Sequence, residues 1–396
     1  MSREEEDPGG HRGAQARATK ENRLAVAAPR HVAIVRALSG VGDMLCAVPA
    51  FRALRAALPD ARISLIGLPE TAVLLDRFRH YVDDLIPFPG FPGMLEGGFQ
   101  LARFPRQIAS LQRRNFDVVI QMHGNGSISN IFSLLLGGSL TAGCHLPGSY
   151  CPDERYFLPY PDDEPEIWRN LHLLQFLGIA PQGDNLEFPM IGSDWVELAE
   201  VEEARDLEPE GYVCIHPGAS DPARRWAPEH FAAVADTLAT TGLRVVLTGT
   251  EHERPLTRAV AAAMRAPSLD LAGRTTLGAF AALLWDARLL VCNDTGVSHL
   301  ADALQLPSVV IFAAYPDPTS DPLRWAPLDT RLHRAVCPSV VSGQVSPPPT
   351  TMRRHEGSTA DPLQDITVDA IAAALRQAPG QVPVGAASAP PRVFYV

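Results

Sequence analysis

The stretch HVAIVRALSGVGDMLCAVPAFRALRAALPDARISLIG, residues 31–67, decides the fold class. Its first eight residues are almost unbroken apolar, as expected of a strand buried on both faces of a parallel sheet. Ser39-Gly40-Val41-Gly42-Asp43 reads as a tight turn, and 44–58 places apolar residues at helical spacing. Pro59-Asp60 stops that helix, and 61–67 is the next strand. Strand, glycine turn, helix and strand in succession make a βαβ unit, and such units build parallel sheets covered by helices.

The alternation continues outward. Strands are expected at 84–88 and 116–122, and helices at 100–114 and 127–136. A second series starts near Tyr212, with strands at 212–218, 243–249, 287–294 and 307–314. Helices at 228–240, 251–265, 276–285 and 295–304 separate them. The predicted layout is a charged, disordered leader over 1–30 and an N-terminal α/β domain over 31–182. An acidic linker over 183–210 leads to a C-terminal α/β domain over 211–337. A Pro/Ser/Thr-rich irregular loop (338–365), a terminal helix (366–377) and a Pro/Ala-rich disordered tail (378–396) complete the chain.

Composition narrows the function. The formal net charge of −11 argues against bulk nucleic-acid binding, which needs a basic footprint. The leader has early acids and no apolar stretch, so no secretory signal is expected, and no apolar run is long enough to span a bilayer. Six scattered cysteines have no C-x-x-C spacing; Cys46, Cys214 and Cys292 read as small core residues of a reducing compartment, without zinc. Among the 34 basic residues only Lys20 is a lysine.

Three loops carry candidate chemistry. Gly40-Val41-Gly42 resembles a dinucleotide fingerprint, but Leu45 holds the third glycine's position and Asp43 would repel a pyrophosphate brought to the same amides. Asp43 suits a general base at the carboxyl edge of a sheet, or simply an acid favoured by a helix N-terminus. HPGASDPARRWAPEHF (216–231) offers Ser220, Arg224 and Arg225, a diphosphate clamp or a solvated loop. Asp294-Thr295-Gly296-Val297-Ser298-His299 joins a strand to a helix, where free amides form an anion site and Asp294 could equally be an ordinary cap. Thr248 ends a strand nearby, and Thr250 with Glu253 has capping-box spacing.

The segment VRALSGVGDMLCAVPAFRALRAALPDARISLI resembles the N-terminal motif of glycosyltransferase family 9, the ADP-heptose:lipopolysaccharide heptosyltransferases. The family pattern is a strand, Ser-x-x-Gly-Asp, then an apolar helix with Thr/Ala-x-Pro and an arginine-rich end; Ser39, Gly42, Asp43, Pro49 and Arg52 occupy those places. Asp-Thr-Gly-x-x-His at 294–299 matches the second signature, and the resemblance covers about 31–335 with the helix near 367–377. It implies the GT-B fold, two Rossmann-like domains facing each other across a cleft. It also implies inverting transfer with no cofactor or essential metal, from a nucleotide sugar (ADP-heptose) to a glycan or glycolipid acceptor.

By the same resemblance Asp43 is the catalytic base. Ser220, Arg224, Arg225, Thr248, Glu253, Asp294, Thr295, Gly296 and His299 bind donor, and Ser39, Gly42 and His123 line the acceptor side. Arg224 stands where the family has a phosphate-binding lysine, Ala227 displaces the following proline by one, and Asn125-Gly126-Ser127 replaces the usual basic residue after His123-Gly124. The expected protein is a cytoplasmic monomer. Arg103, Arg106, Arg113 and Arg114 form either a solvated helical face or a peripheral contact with the inner face of a membrane. Two other readings stay open: a nicotinamide-dependent oxidoreductase using Gly40–Gly42 and Glu70, and a catalytically silent sugar-nucleotide-binding protein.

Overall fold

The computed structural model describes Leu24 and residues 28–337. β1 (His31–Val35) pairs in parallel with β2 (Arg62–Gly67) on one side and β4 (Val118–Gln121) on the other. β3 (Asp84–Pro87) extends the sheet beyond β2; β5 (Leu140–His145) and β6 (Phe157–Pro159) extend it beyond β4. The second sheet is built identically around β7 (Tyr212–His216). Its neighbours are β8 (Arg244–Leu247) and β9 (Ser268–Asp270) on one side and β10 (Leu289–Asn293), β11 (Ser308–Ile311) and β12 (His333–Val336) on the other. Each sheet is parallel throughout and reverses its strand order beside its first strand, the crevice where doubly wound folds bind ligands.

Helices cover both faces. In the first domain α1 (Val41–Leu45), α2 (Val48–Ala57) and α6 (Glu166–Phe176) lie on the inner face; α4 (Phe104–Gln112) and α5 (Ser129–Leu135) lie on the outer. A short α3 (Ala72–Leu75) precedes β3. In the second domain α8 (Pro228–Ala239) and α9 (Arg254–Ala263) cover the outer face; α10 (Leu277–Trp285) and α11 (Gly296–Ala303) cover the inner. One apolar core runs unbroken from Val32 and Ile34 through Leu45 and Cys46 to Leu300, Cys292 and Val310, so the two inner faces are joined.

Several expectations shift. The single helix over 44–58 is two, because Pro49 has no N–H to continue the ladder and instead sits in the first turn of α2. The acidic linker over 183–210 contains α7 (Gly192–Glu200), packed on α10 with Trp195 edge-on to Trp285 at 6.1 Å. Asp194 of α7 is buried and pairs with Arg77 of the first domain at 2.6 Å. Strands β5, β6, β9 and β12 and helix α6 were not signalled by the sequence. Leu24, assigned to the leader, is fully buried in the inner core. The rest of that leader, apart from 28–30, lies outside the described residues, as do the loop 338–365, the helix 366–377 and the tail 378–396. Among the described residues no helix is long and apolar enough to cross a membrane.

Candidate active site

The two crevices face each other and merge into one cleft of about 860 Å³, a size typical of small-molecule sites. The first domain supplies Gly40–Asp43; the second supplies the loops after β7, β8 and β10, with Trp325 from α12 (Pro322–Trp325).

Gly42 was read as a turn glycine, but its role is contact between domains. A Cβ on Gly42 would lie 2.7 Å from Cδ2 of His299 and 2.8 Å from Cα of Gly296. A Cβ on Gly296 would lie 2.7 Å from the Gly42 nitrogen. The glycines of the two signatures thus exist for each other, allowing the N-termini of α1 and α11 to meet across the cleft.

Asp43 stands in the first turn of α1, partly exposed to the cleft. As the acid in the first turn of α1 it also meets the helix dipole, so position alone serves both readings of it. Burial pushes its pKa above the usual carboxylate value; Arg36 opposes this and Glu166 adds to it. Beneath it Arg36, fully buried, donates to the Asp43 carbonyl at 2.6 Å and 3.1 Å and to the Met122 carbonyl at 2.8 Å. Glu166, the first residue of α6, lies 3.4 Å from Arg36 and 3.0 Å from Arg324 of the other domain. Sequence reading missed this Arg36–Glu166–Arg324 chain, whose members are far apart in sequence.

On the donor side Arg224 lies 3.7 Å from Asp294, and its Nε is buried without a partner. Arg225 is turned back, its guanidinium donating twice to the Ala219 carbonyl at 2.7 Å and 2.9 Å, so it shapes the loop. Asn293, also missed, pins that loop: its amide donates to the Pro217 carbonyl and accepts from the Trp226 N–H. Asp294 is buried and accepts from the Ser320 hydroxyl at 2.8 Å; burial raises its pKa, against the Ser320 bond and Arg224. Thr295 holds the N-cap position of α11 without a side-chain capping bond, and Thr295 and Gly296 both face the cleft.

His299 is buried with Cys46 Sγ 3.6 Å from Nδ1, and burial lowers its pKa to about 4, so it is a neutral imidazole in the cleft wall. Glu253 does cap, accepting from the Thr250 N–H and hydroxyl at 2.8 Å and 2.9 Å, yet it also reaches the cleft and lies against Gly218.

Three expected site residues stand elsewhere. Thr248 is buried beneath the floor, its hydroxyl 3.2 Å from Nδ1 of His216, and it is His216 that lines the cleft. Ser39 is exposed outside the lining. His123 lies behind the first domain's loops, with the Ala37 N–H 3.3 Å from Nδ1 and Glu96 3.6 Å from Nε2. Ser220, in contrast, lines the cleft as expected. Glu70, required by the dinucleotide reading, is exposed and outside the lining. Among the described residues no group of three His, Cys, Asp or Glu is placed to hold a metal ion.

Known proteins share this architecture. Lipopolysaccharide heptosyltransferase 2 of Escherichia coli (strain K12) is 28% identical over 328 residues, covering 75% of this chain and 88% of the relative. The crystal structure of the glycosyl transferase family 9 from Veillonella parvula superposes with a TM-score of 0.68 at 17% identity, over 88% of this chain and 98% of the other. The E. coli ADP-heptose lps heptosyltransferase II structure gives a TM-score of 0.64 at 21% identity, over 88% of this chain and 99% of the other. Residues 105–339 match the family model of glycosyltransferase family 9 (heptosyltransferase). With the paired Rossmann-like sheets of a GT-B fold closing on that matched region, the chain is a glycosyltransferase and belongs to glycosyltransferase family 9.

Proposed function

We propose that this enzyme transfers heptose from ADP-heptose to a hydroxyl of a lipopolysaccharide-type acceptor, with inversion and without an essential metal. One observation carries the reading: Asp43 from one domain faces Arg224 and the Thr295–Gly296 turn of the other across a single cleft. Asp43 takes the proton of the acceptor hydroxyl as that oxygen bonds to the anomeric carbon. The bond from that carbon to the diphosphate breaks, and its electron pair leaves with ADP. Attack opposite the leaving group inverts the carbon.

The second domain meets the charge that develops. Arg224 lies near the N-terminus of α11, where the free amides of Thr295 and Gly296 favour an anion. This pairing takes the part a divalent cation plays elsewhere. His299, held neutral, donates or accepts a hydrogen bond to donor phosphate or sugar without adding charge. Glu253 and His216 border the nucleotide end. The donor and acceptor are inferred from the relatives, which are named for ADP-heptose and lipopolysaccharide; the cleft supports the chemistry.

The direct test uses the full chain with ADP-heptose and a deacylated acceptor. Asp43→Asn is expected to abolish transfer while ADP-heptose still raises Tm, and wild-type turnover is expected to survive EDTA. Wild-type turnover by Asp43→Asn would refute the base. Stabilisation by NAD but not by any nucleotide sugar would restore the oxidoreductase reading, and donor binding without turnover would restore the silent binder.

A further inference from the structure

The segment between β11 and β12 carries the short helix α12 to the seam between the domains, and its polar groups hold it there. Ser320 donates to Asp294 of the donor-side turn at 2.8 Å. Asp321 caps α12, accepting from the Leu323 N–H at 2.9 Å, and Pro322 takes the first helical position. Arg324 crosses to the first domain, 3.0 Å from Glu166 and donating to the Tyr160 hydroxyl at 3.3 Å. The segment is thus tied to both walls of the cleft.

Of residues 315–327, Trp325 is the one that lines the cleft. Part of its indole rests on the inner core, and the Arg324 guanidinium lies over the ring, 4.5 Å from the centroid. The His299 ring stands edge-on to it at 6.5 Å, and His299 in turn closes on Gly42, next to Asp43. Trp325 therefore shares the part of the cleft where Asp43 faces the Thr295–Gly296 turn. Among the described residues lining the cleft, two keep a buried donor with no acceptor: Arg224 at Nε and Trp325 at Nε1. An enclosed indole N–H normally finds a partner, so an orphan in a cleft wall marks a donor reserved for what the cleft receives.

We propose that Trp325 recognises the sugar being transferred: the uncovered part of its ring packs on the sugar's C–H face, and Nε1–H donates to a sugar hydroxyl. The diphosphate is matched by Arg224 and the free amides, and the nucleotide lies toward Glu253 and His216. What stands beside Asp43 is then the sugar carbon under attack. A sugar presents apolar C–H faces and neutral hydroxyls, and an indole offers an apolar ring with a single neutral donor. The assignment rests on the function proposed above only in placing a nucleotide sugar in the cleft.

The test is calorimetry of the full chain with ADP and with ADP-heptose. Trp325→Phe keeps a ring and loses the N–H; it should leave ADP affinity unchanged and weaken ADP-heptose about fivefold. Trp325→Ala should weaken ADP-heptose by about a further fivefold, again with ADP unchanged. Leu323→Ser, on the same helix and 64% exposed, should change neither affinity. In wild type, one of the five tryptophan indole N–H resonances should move when ADP-heptose replaces ADP. An unchanged ratio of ADP-heptose to ADP affinity in Trp325→Phe, an equal loss of both ligands, or indole resonances that none of them move would each overturn the proposal. Should the chain bind a UDP- or GDP-sugar in place of ADP-heptose, the donor proposed above is refuted. A fall in that sugar's affinity relative to its parent nucleotide in Trp325→Phe would still uphold the role of Trp325. Asp43-dependent transfer with an unchanged ratio would leave the function standing and remove Trp325 from sugar recognition.

Discussion

Glu166→Gln tests whether the buried charge chain tunes the base. Glu166 is almost wholly buried, 3.4 Å from Arg36 and 3.0 Å from Arg324. Removing one partner of a buried ion pair costs about 3–5 kcal/mol, mainly by stranding the other charge. Arg36 would keep the carbonyls of Asp43 and Met122, and Arg324 is partly solvated, so about 3 kcal/mol, the lower end, is expected here. Glutamine preserves the volume, so no cavity adds to that figure. The effect on chemistry has a definite sign. Arg36, Arg324 and Arg224 favour an ionised Asp43, whereas Glu166 opposes ionisation, as does burial. Without the Glu166 charge the two arginines are uncompensated and the Asp43 pKa falls. The acid limb of the kcat profile, measured at saturating donor and acceptor, must therefore move to lower pH. Donor affinity should hold, since Glu166 is not in the cleft lining. An acid limb that stays in place or moves up would refute the coupling. So would a stability loss in denaturant below about 1 kcal/mol, the scale of an exposed pair.

Gly42→Ala must push α1 from α11, an overpacking cost of about 1–3 kcal/mol that should appear as lower kcat/KM with ADP binding retained, checked by kinetics and calorimetry. For His299 the folded pKa of about 4 lies below the unfolded 6.5, so its contribution to stability is complete above 6.5 and is lost as pH falls towards 4. Denaturant titrations across that window should show roughly 3 kcal/mol less acid loss in His299→Gln than in wild type. Arg224→Ala should lower kcat/KM for donor by about 10- to 100-fold, the worth of a hydrogen bond to a charged group. Arg224→Lys should recover part of that loss, because the charge returns without the planar fork.

What could be read in advance follows from the range of each cause. Central strands such as Val118–Gln121 and Leu289–Asn293 are buried on both faces, so local hydrophobicity marks them unaided. The outer strands were silent: Ser268–Asp270 is three residues long and His333–Val336 alternates polarity, as edges do. The acidic run ending at Glu166 and the acidic stretch holding Asp194 both look like solvated surface. Only arginines more than a hundred residues away in sequence make them interior. Most motif residues line one cleft, but the local reasons for two of them differ from the sequence reading. Gly42 looks like turn chemistry and Thr248 like a ligand, whereas one makes room for the other domain and the other anchors His216.

Helix α5 marks the same boundary from the other side, with Ile131, Leu134 and Leu135 exposed and Ser129, Asn130 and Ser133 buried. A helical period in SNIFSLL yields two faces without saying which turns inward. Hydrophobicity alone would bury the isoleucine and leucines with the phenylalanine, yet only Phe132 of them is buried. The inner site instead asks for hydrogen bonds to the carbonyls of His123 and Cys144, which serine and asparagine supply and leucine cannot. Burying those polar groups unpaired would cost more than leaving the aliphatic side chains in water. The fold therefore buries Phe132 together with the side chains that satisfy its own backbone, and Ile131, Leu134 and Leu135 stay outside.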